Sequence, residues 1–166
     1  MVFGIVLFSF LFVLAILYFL LFKEYAHMMN NFELLVKVVE TRNLVLMRIL
    51  PEIKNKGLKK EITKMVDDMM VAKRENNDKF IQLDVDINKK LDSVYSELNK
   101  SKNPLVIEEL KKAVNFEKKL KTIRREYNKV VEVYNAKICK HPKLMAKFLK
   151  MRPYNTYNIK KNNVEE

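Results

Sequence analysis

Residues 2–22, VFGIVLFSFLFVLAILYFLLF, decide how the rest of the chain is read. None of these side chains is charged, and as a helix rising about 1.5 Å per residue the stretch covers about 30 Å, the thickness of a bilayer's hydrocarbon core. Phe3, Phe8, Phe10, Phe12, Phe19 and Phe22 point in all directions around such a helix. That arrangement suits lipid on every side better than a single packed face in a small bundle. A cleaved secretory signal would carry basic residues ahead of a shorter apolar core and a small-x-small cleavage site behind it. Met1 supplies no basic region, and Lys23-Glu24-Tyr25-Ala26-His27 supplies no such site. Residues 1–22 therefore read as a retained transmembrane anchor, in contact with membrane lipid.

All 32 basic and 20 acidic residues lie beyond the anchor, so the net charge of +12 belongs wholly to residues 23–166. Positive charge flanking a span is kept on the cytoplasmic side, and no Lys or Arg precedes the span to compete. The expected location is a single-pass protein of the cell membrane with its soluble part in the cytoplasm. Cys139 stands alone, which excludes an intrachain disulfide and a cysteine-rich metal site. Gly4 and Gly57 are the only glycines, too few for a phosphate-cradling loop or a dinucleotide fingerprint. A hydrolytic triad would have to be built on His27, beside the anchor, or His141, after a helix end. Cys139 and His141 could form one edge of a metal site, with no further Cys or His to complete it. Asp67 with Asp68 and Asp84 with Asp86 read as solvated helix surface. The expectation is no enzyme, no cofactor and no metal.

Past the anchor the apolar spacing runs Phe32, Val36, Val39, Asn43, Leu46, Leu50, Ile53, steps of three and four that turn one helical stripe inward. Asn43 interrupts it, either as a buried residue that fixes register or as a rim residue after a small helix rotation. Pro51 removes a backbone donor and Asn55 and Gly57 supply turn chemistry, so the helix kinks or stops between residues 50 and 57. The stripe resumes at Leu58, Ile62, Met65, Met69 and Ala72, then loses its apolar face over residues 73–79, KRENNDK. That segment reads as a reversal or as a solvated face of one continuous helix. Phe80, Leu83, Ile87, Leu91, Val94 and Leu98 form the next stripe.

Asn103-Pro104 is a helix start: Asn caps free amides, Pro at the first position has no amide to lose, and Glu108 and Glu109 favour the positive end. Ala113, Phe116, Leu120, Ile123, Tyr127, Val130 and Tyr134 carry that helix to Ile138, before His141-Pro142 ends it. The fold class is all-α: an N-terminal transmembrane helix followed by an antiparallel bundle of long helices over residues 23–158. Four soluble helices are favoured, with three the alternative. A short helical piece is expected over 143–151 and a disordered tail over 159–166. Residues 143–161 hold six basic residues and no acidic one. Lys143, Lys147, Phe148, Lys150, Arg152, Tyr154 and Tyr157 either close the bundle end, with the lysines in water, or touch lipid headgroups or, least favoured, nucleic acid.

Glu117, Leu120, Arg124, Tyr127-Asn128, Val131, Tyr134-Asn135, Ile138 and Pro142, followed by Ala146 and Phe148, resemble the C-terminal signature of LemA family proteins. The doubled Tyr-Asn at a spacing of seven ahead of a proline carries the resemblance, which extends over residues 117–157. It implies a bacterial protein with one N-terminal membrane helix and a cytoplasmic bundle of long helices. The family has no agreed biochemical activity, so the resemblance implies architecture and location.

On the residues alone, Tyr127 and Tyr134 fall on the inward stripe with Asn128 and Asn135 as a polar line beside it, Arg124 one turn before Asn128 and Glu117 two turns before Arg124. Asn43, Glu117, Arg124, Asn128 and Asn135 are thus the candidate interhelix polar layer. The expected function is a membrane-anchored scaffold or protein-interaction module with an unidentified protein partner. The alternative is electrostatic binding of anionic lipid or nucleic acid by the basic bundle, nucleic acid being the less favoured. The sequence leaves the oligomeric state open.

Overall fold

The computed structural model describes residues 2–75, 77–140 and 153–157. The helical piece expected at 143–151 and the tail expected at 159–166 lie outside these residues. Among the described residues four α-helices are present: α1 (Val2–Ile49), α2 (Lys56–Glu75), α3 (Asn77–Leu98) and α4 (Pro104–Lys140). No strand occurs among the described residues. The fold is all-α, with a long apolar N-terminal helix followed by a helical bundle.

Helix ends fall where local chemistry puts them. At Pro51 α1 gives way to a single 3-10 turn, Leu50–Glu52. Asn55 Oδ1 then accepts the Leu58 amide at 3.1 Å and caps α2. Asn103 does the same for α4, accepting the Leu105 amide at 3.1 Å, with Pro104 in the first helical position.

The chain divides into two compact units. The first comprises Met1–Glu33 and Glu126–Thr156. Here the side chains from Ile5 to Phe22 are exposed except Leu14 and Leu17, which are half-buried, and Leu21, which is buried. α1 is long and apolar enough to cross a membrane. Beyond this stretch Met28 and Phe32 are buried, as are Tyr127, Val131, Tyr134 and Ile138 of α4. The Phe32 and Tyr127 rings meet at 5.9 Å between centroids. Lys137 pairs with Glu24.

The second unit comprises Leu34–Arg125 and Tyr157–Glu166. Its topology is legible in its polar pairs. Glu61 bonds Lys90 at 2.8 Å, and the amides of Lys54 and Asn55 donate to Glu97. On one continuous helix residues 61 and 90 would stand about 43 Å apart. The KRENNDK segment is therefore a reversal, and α2 and α3 form an antiparallel hairpin. Glu40–Lys73 and Asn43–Met69 set α1 antiparallel to α2. Arg42–Glu117 and Arg48–Glu109 set α1 antiparallel to α4. The result is an up-down-up-down four-helix bundle, the favoured of the two expected counts. Its core holds the expected positions of the first stripe, Val36, Val39, Leu46, Leu50 and Ile53, with Ile62, Met69, Ile87, Leu91, Val94 and Leu120 from the other helices.

Candidate functional site

The second unit buries charge at its centre. Arg42 of α1 and Asp84 of α3 are both fully buried, Asn43 and Arg124 are each 5% exposed, and Glu117 is half-buried. Arg42 Nη2 donates to Asp84 Oδ1 at 2.7 Å and Nη1 to Glu117 Oε1 at 2.7 Å. Its Nε and Nη2 also donate to Asn43 Oδ1, at 3.1 and 2.7 Å. From α4, Arg124 donates through Nη2 and Nε to Asp84 Oδ2, at 2.7 and 3.1 Å. Arg124 Nη1 reaches Glu117 Oε2 at 3.3 Å and Asn88 Oδ1 at 3.5 Å. Asn43 Nδ2 points at Met69 Sδ on α2, 3.2 Å away.

Two guanidiniums and two carboxylates thus alternate around a closed ring, Arg42–Asp84–Arg124–Glu117, with every helix of the bundle touching the layer. Burial by itself would lower the Arg42 pKa; the charges of Asp84 and Glu117 outweigh it and hold the guanidinium above its ordinary value. A buried ring of this kind balances its charge internally and gives each carboxylate both partners it can bridge. Its chemistry is that of a register lock: shifting one helix by a turn would strand a buried charge. It presents no free nucleophile or proton acceptor to a substrate.

Of the expected layer, the structure brings together Asn43, Glu117 and Arg124. Asn43 is the buried register residue and not a rim residue. Asn135 does not join them. It lies in the first unit, where its Oδ1 accepts the Tyr154 amide at 3.0 Å and its Nδ2 donates to the Tyr154 carbonyl at 2.8 Å. This two-point grip substitutes a side-chain amide for a backbone partner and holds the returning chain against α4. Asn128 is half-buried on α4 and also falls in the first unit.

Two members of the ring escape a reading of the sequence. Asp84 is expected on solvated surface beside Asp86; it is fully buried, whereas Asp86 is half-buried and pairs with Lys89 at 2.8 Å. The signal is present: residues 80, 84, 87 and 91 step by four, three and four, and Leu83, the expected stripe position, is only half-buried. Arg42 likewise lies on a stripe with Leu35, Val39, Leu46 and Ile49, all buried. A charge on an apolar stripe is what a buried partner requires.

Of the residues expected to touch headgroups or close the bundle end, Tyr154 and Tyr157 are described. Tyr157 is 5% exposed, and the Arg124 guanidinium carbon stands 5.6 Å from its ring centroid. Face-on cation–π contact within the fold, rather than lipid, satisfies that ring. Tyr154 is half-buried, its ring 5.9 Å from Tyr134 and 6.5 Å from Tyr25. Lys143, Lys147, Phe148, Lys150 and Arg152 lie outside the described residues.

Glu24 and His27 stand three apart on α1, the spacing of a metal half-site in carboxylate bundles. Among the described residues no third His, Cys, Asp or Glu converges with them. No protein-family model matches the sequence, and no curated protein or solved structure does.

Proposed function

We propose that this protein is a single-pass membrane scaffold of the LemA type, whose cytoplasmic bundle holds a protein partner at the bilayer surface. The observation that carries the reading is the continuity of α1. One helix runs unbroken from the exposed apolar stretch into the register-locked core at Arg42 and Asn43. A soluble protein would have little reason to leave Phe8, Phe10, Phe12 and Phe19 at 59–73% exposure along one helix. Beyond the span basic residues outnumber acidic ones 32 to 20, which supports a cytoplasmic bundle. The ring of buried charge supports an architectural role, because it rigidifies the bundle without offering a reactive group.

The test is twofold. The full chain is fractionated from cells and extracted with alkaline carbonate; it is expected in the pellet, and the doubly substituted Leu11→Arg, Phe12→Arg chain in the supernatant. Photo-crosslinkers at exposed bundle positions such as Leu44 and Met70 are expected to capture a discrete protein from one helical face. Recovery of the unaltered chain in the soluble fraction overturns the anchor, and capture from every face alike overturns the scaffold.

A second reading has its own observation. Lys111, Lys118, Lys119 and Lys121 are all exposed on α4, and Lys111, Lys118 and Arg125 repeat at intervals of seven on its outward side. Such a stripe attracts anionic lipid or nucleic acid. It predicts binding to anionic vesicles or oligonucleotides that weakens steeply as salt rises, whereas protein capture through a packed face is far less salt-sensitive.

A further inference from the structure

The first unit contains a groove of about 250 Å³ lined by Glu24 and His27 of α1 and by Lys129, Val130 and Val133 of α4. We propose that this groove seats the headgroup of one zwitterionic phospholipid bearing a primary amine. The proposal rests on the membrane anchor proposed for α1, because the anchor fixes the depth of the groove. Phe22 ends the apolar stretch, so Glu24 and His27 lie about 3 and 7.5 Å beyond it along α1. The interfacial layer on each side of a hydrocarbon core is roughly 5–7.5 Å deep. Both residues fall in or at that layer.

The lining matches such a headgroup in chemistry as well as depth. Lys129 and His27, both exposed, offer donors to a phosphodiester. Glu24, half-buried and already bridged to Lys137, offers a carboxylate to an ammonium. Lys129 pairs with Glu126 at 3.4 Å and Glu24 with Lys137, so charges of both signs stand at the groove and favour a dipolar guest over a purely anionic one. Val133 is 48% exposed and Val130 half-buried; they present an apolar floor to the glycerol and first methylenes. The adjoining exposed side of α1, from Tyr18 and Phe22 downward, offers the acyl chains a lipid-facing track. At about 250 Å³ the groove is too small for a drug-sized ligand, and a headgroup does not need more. A metal ion in the same place would face Lys129 with only Glu24 and His27 to hold it.

The test uses the full chain in detergent, titrated with dioleoyl phosphatidylethanolamine, phosphatidylcholine or phosphatidylglycerol and read by native mass spectrometry. One retained lipid is expected, with roughly fivefold preference for the ethanolamine headgroup, since the quaternary ammonium of choline cannot donate to Glu24 and the glycerol headgroup has no cation. Glu24→Gln is expected to abolish that preference and Lys129→Glu to lower retention of all three lipids, while Lys119→Glu, on the second unit, leaves both intact. Equal retention of the three lipids by the unaltered chain, or an unchanged preference in Glu24→Gln, overturns the groove assignment. A parallel flotation of the chain with vesicles separates the two failures. A chain that floats without headgroup preference overturns the groove alone, and one that does not float overturns the anchor and the groove with it.

Discussion

Arg42 and Asp84 form an ion pair of 2.7 Å with neither side chain exposed to solvent. The pair joins α1 to α3, helices that are not consecutive, and Asp84 spends its other oxygen on Arg124 of α4. Removing that one carboxylate leaves two guanidiniums in the core of the bundle. Asp84→Leu is therefore expected to destabilise the full chain by about 3–5 kcal/mol in reversible denaturation. Replacing Arg42, Asp84, Glu117 and Arg124 together by apolar residues of similar volume is expected to recover most of that loss, since no charge is then stranded.

Surface pairs obey a different scale. Lys90 and Glu61 meet at 2.8 Å with side chains 31% and 48% exposed, where solvent screens the attraction. Lys90→Ala is expected to cost less than about 1 kcal/mol in the same assay, even though this pair marks the α2–α3 reversal.

Asn135 grips Tyr154 through both backbone groups. Asn135→Ala removes both bonds and should free the returning segment while leaving the helices in place. Chymotryptic cleavage at Tyr154 is expected to accelerate roughly tenfold, about 1.4 kcal/mol of local opening, with global unfolding shifted far less.

The Tyr95 and Tyr134 hydroxyls are buried without hydrogen-bond partners among the described residues. Burial first, reinforced at Tyr95 by the negative charge of Glu117, pushes both phenols above the ordinary value of 10.0. The unfolded chain therefore releases these protons at lower pH than the folded one. The stability they carry is complete below pH 10 and declines as pH climbs from there toward the raised folded values. Tyr95→Phe and Tyr134→Phe are each expected to flatten that alkaline decline in denaturation midpoints measured between pH 9 and 11 (~2 pH units about the phenol range). At neutral pH neither should lose stability, because no bond is removed.

The helices, their caps and their breaks are legible in the sequence because each depends on residues within a turn or two: Asn103-Pro104, Pro51 with Asn55, and stripes stepping by three and four. Of the polar layer, Asn43, Glu117 and Arg124 stand out as polar residues on or beside inward stripes. Asp84 does not, because beside Asp86 it reads as half of a solvated acidic pair, with Leu83 in its stripe position. Asn135 is legible as polar but not as the holder of Tyr154, which lies 19 residues on. Nothing local couples those two positions.

The sequence by itself determined the apolar leading helix, the excess of positive charge beyond it and the helical character of the bundle, since hydropathy, charge and helical period are sums over neighbouring residues. Only the tertiary structure decided that KRENNDK is a reversal and that Arg42, Asp84, Glu117 and Arg124 close into one ring. It alone drew Tyr157 onto a guanidinium. Each of these depends on which distant helix faces which, and a buried charge finds its partner only when the helices have met.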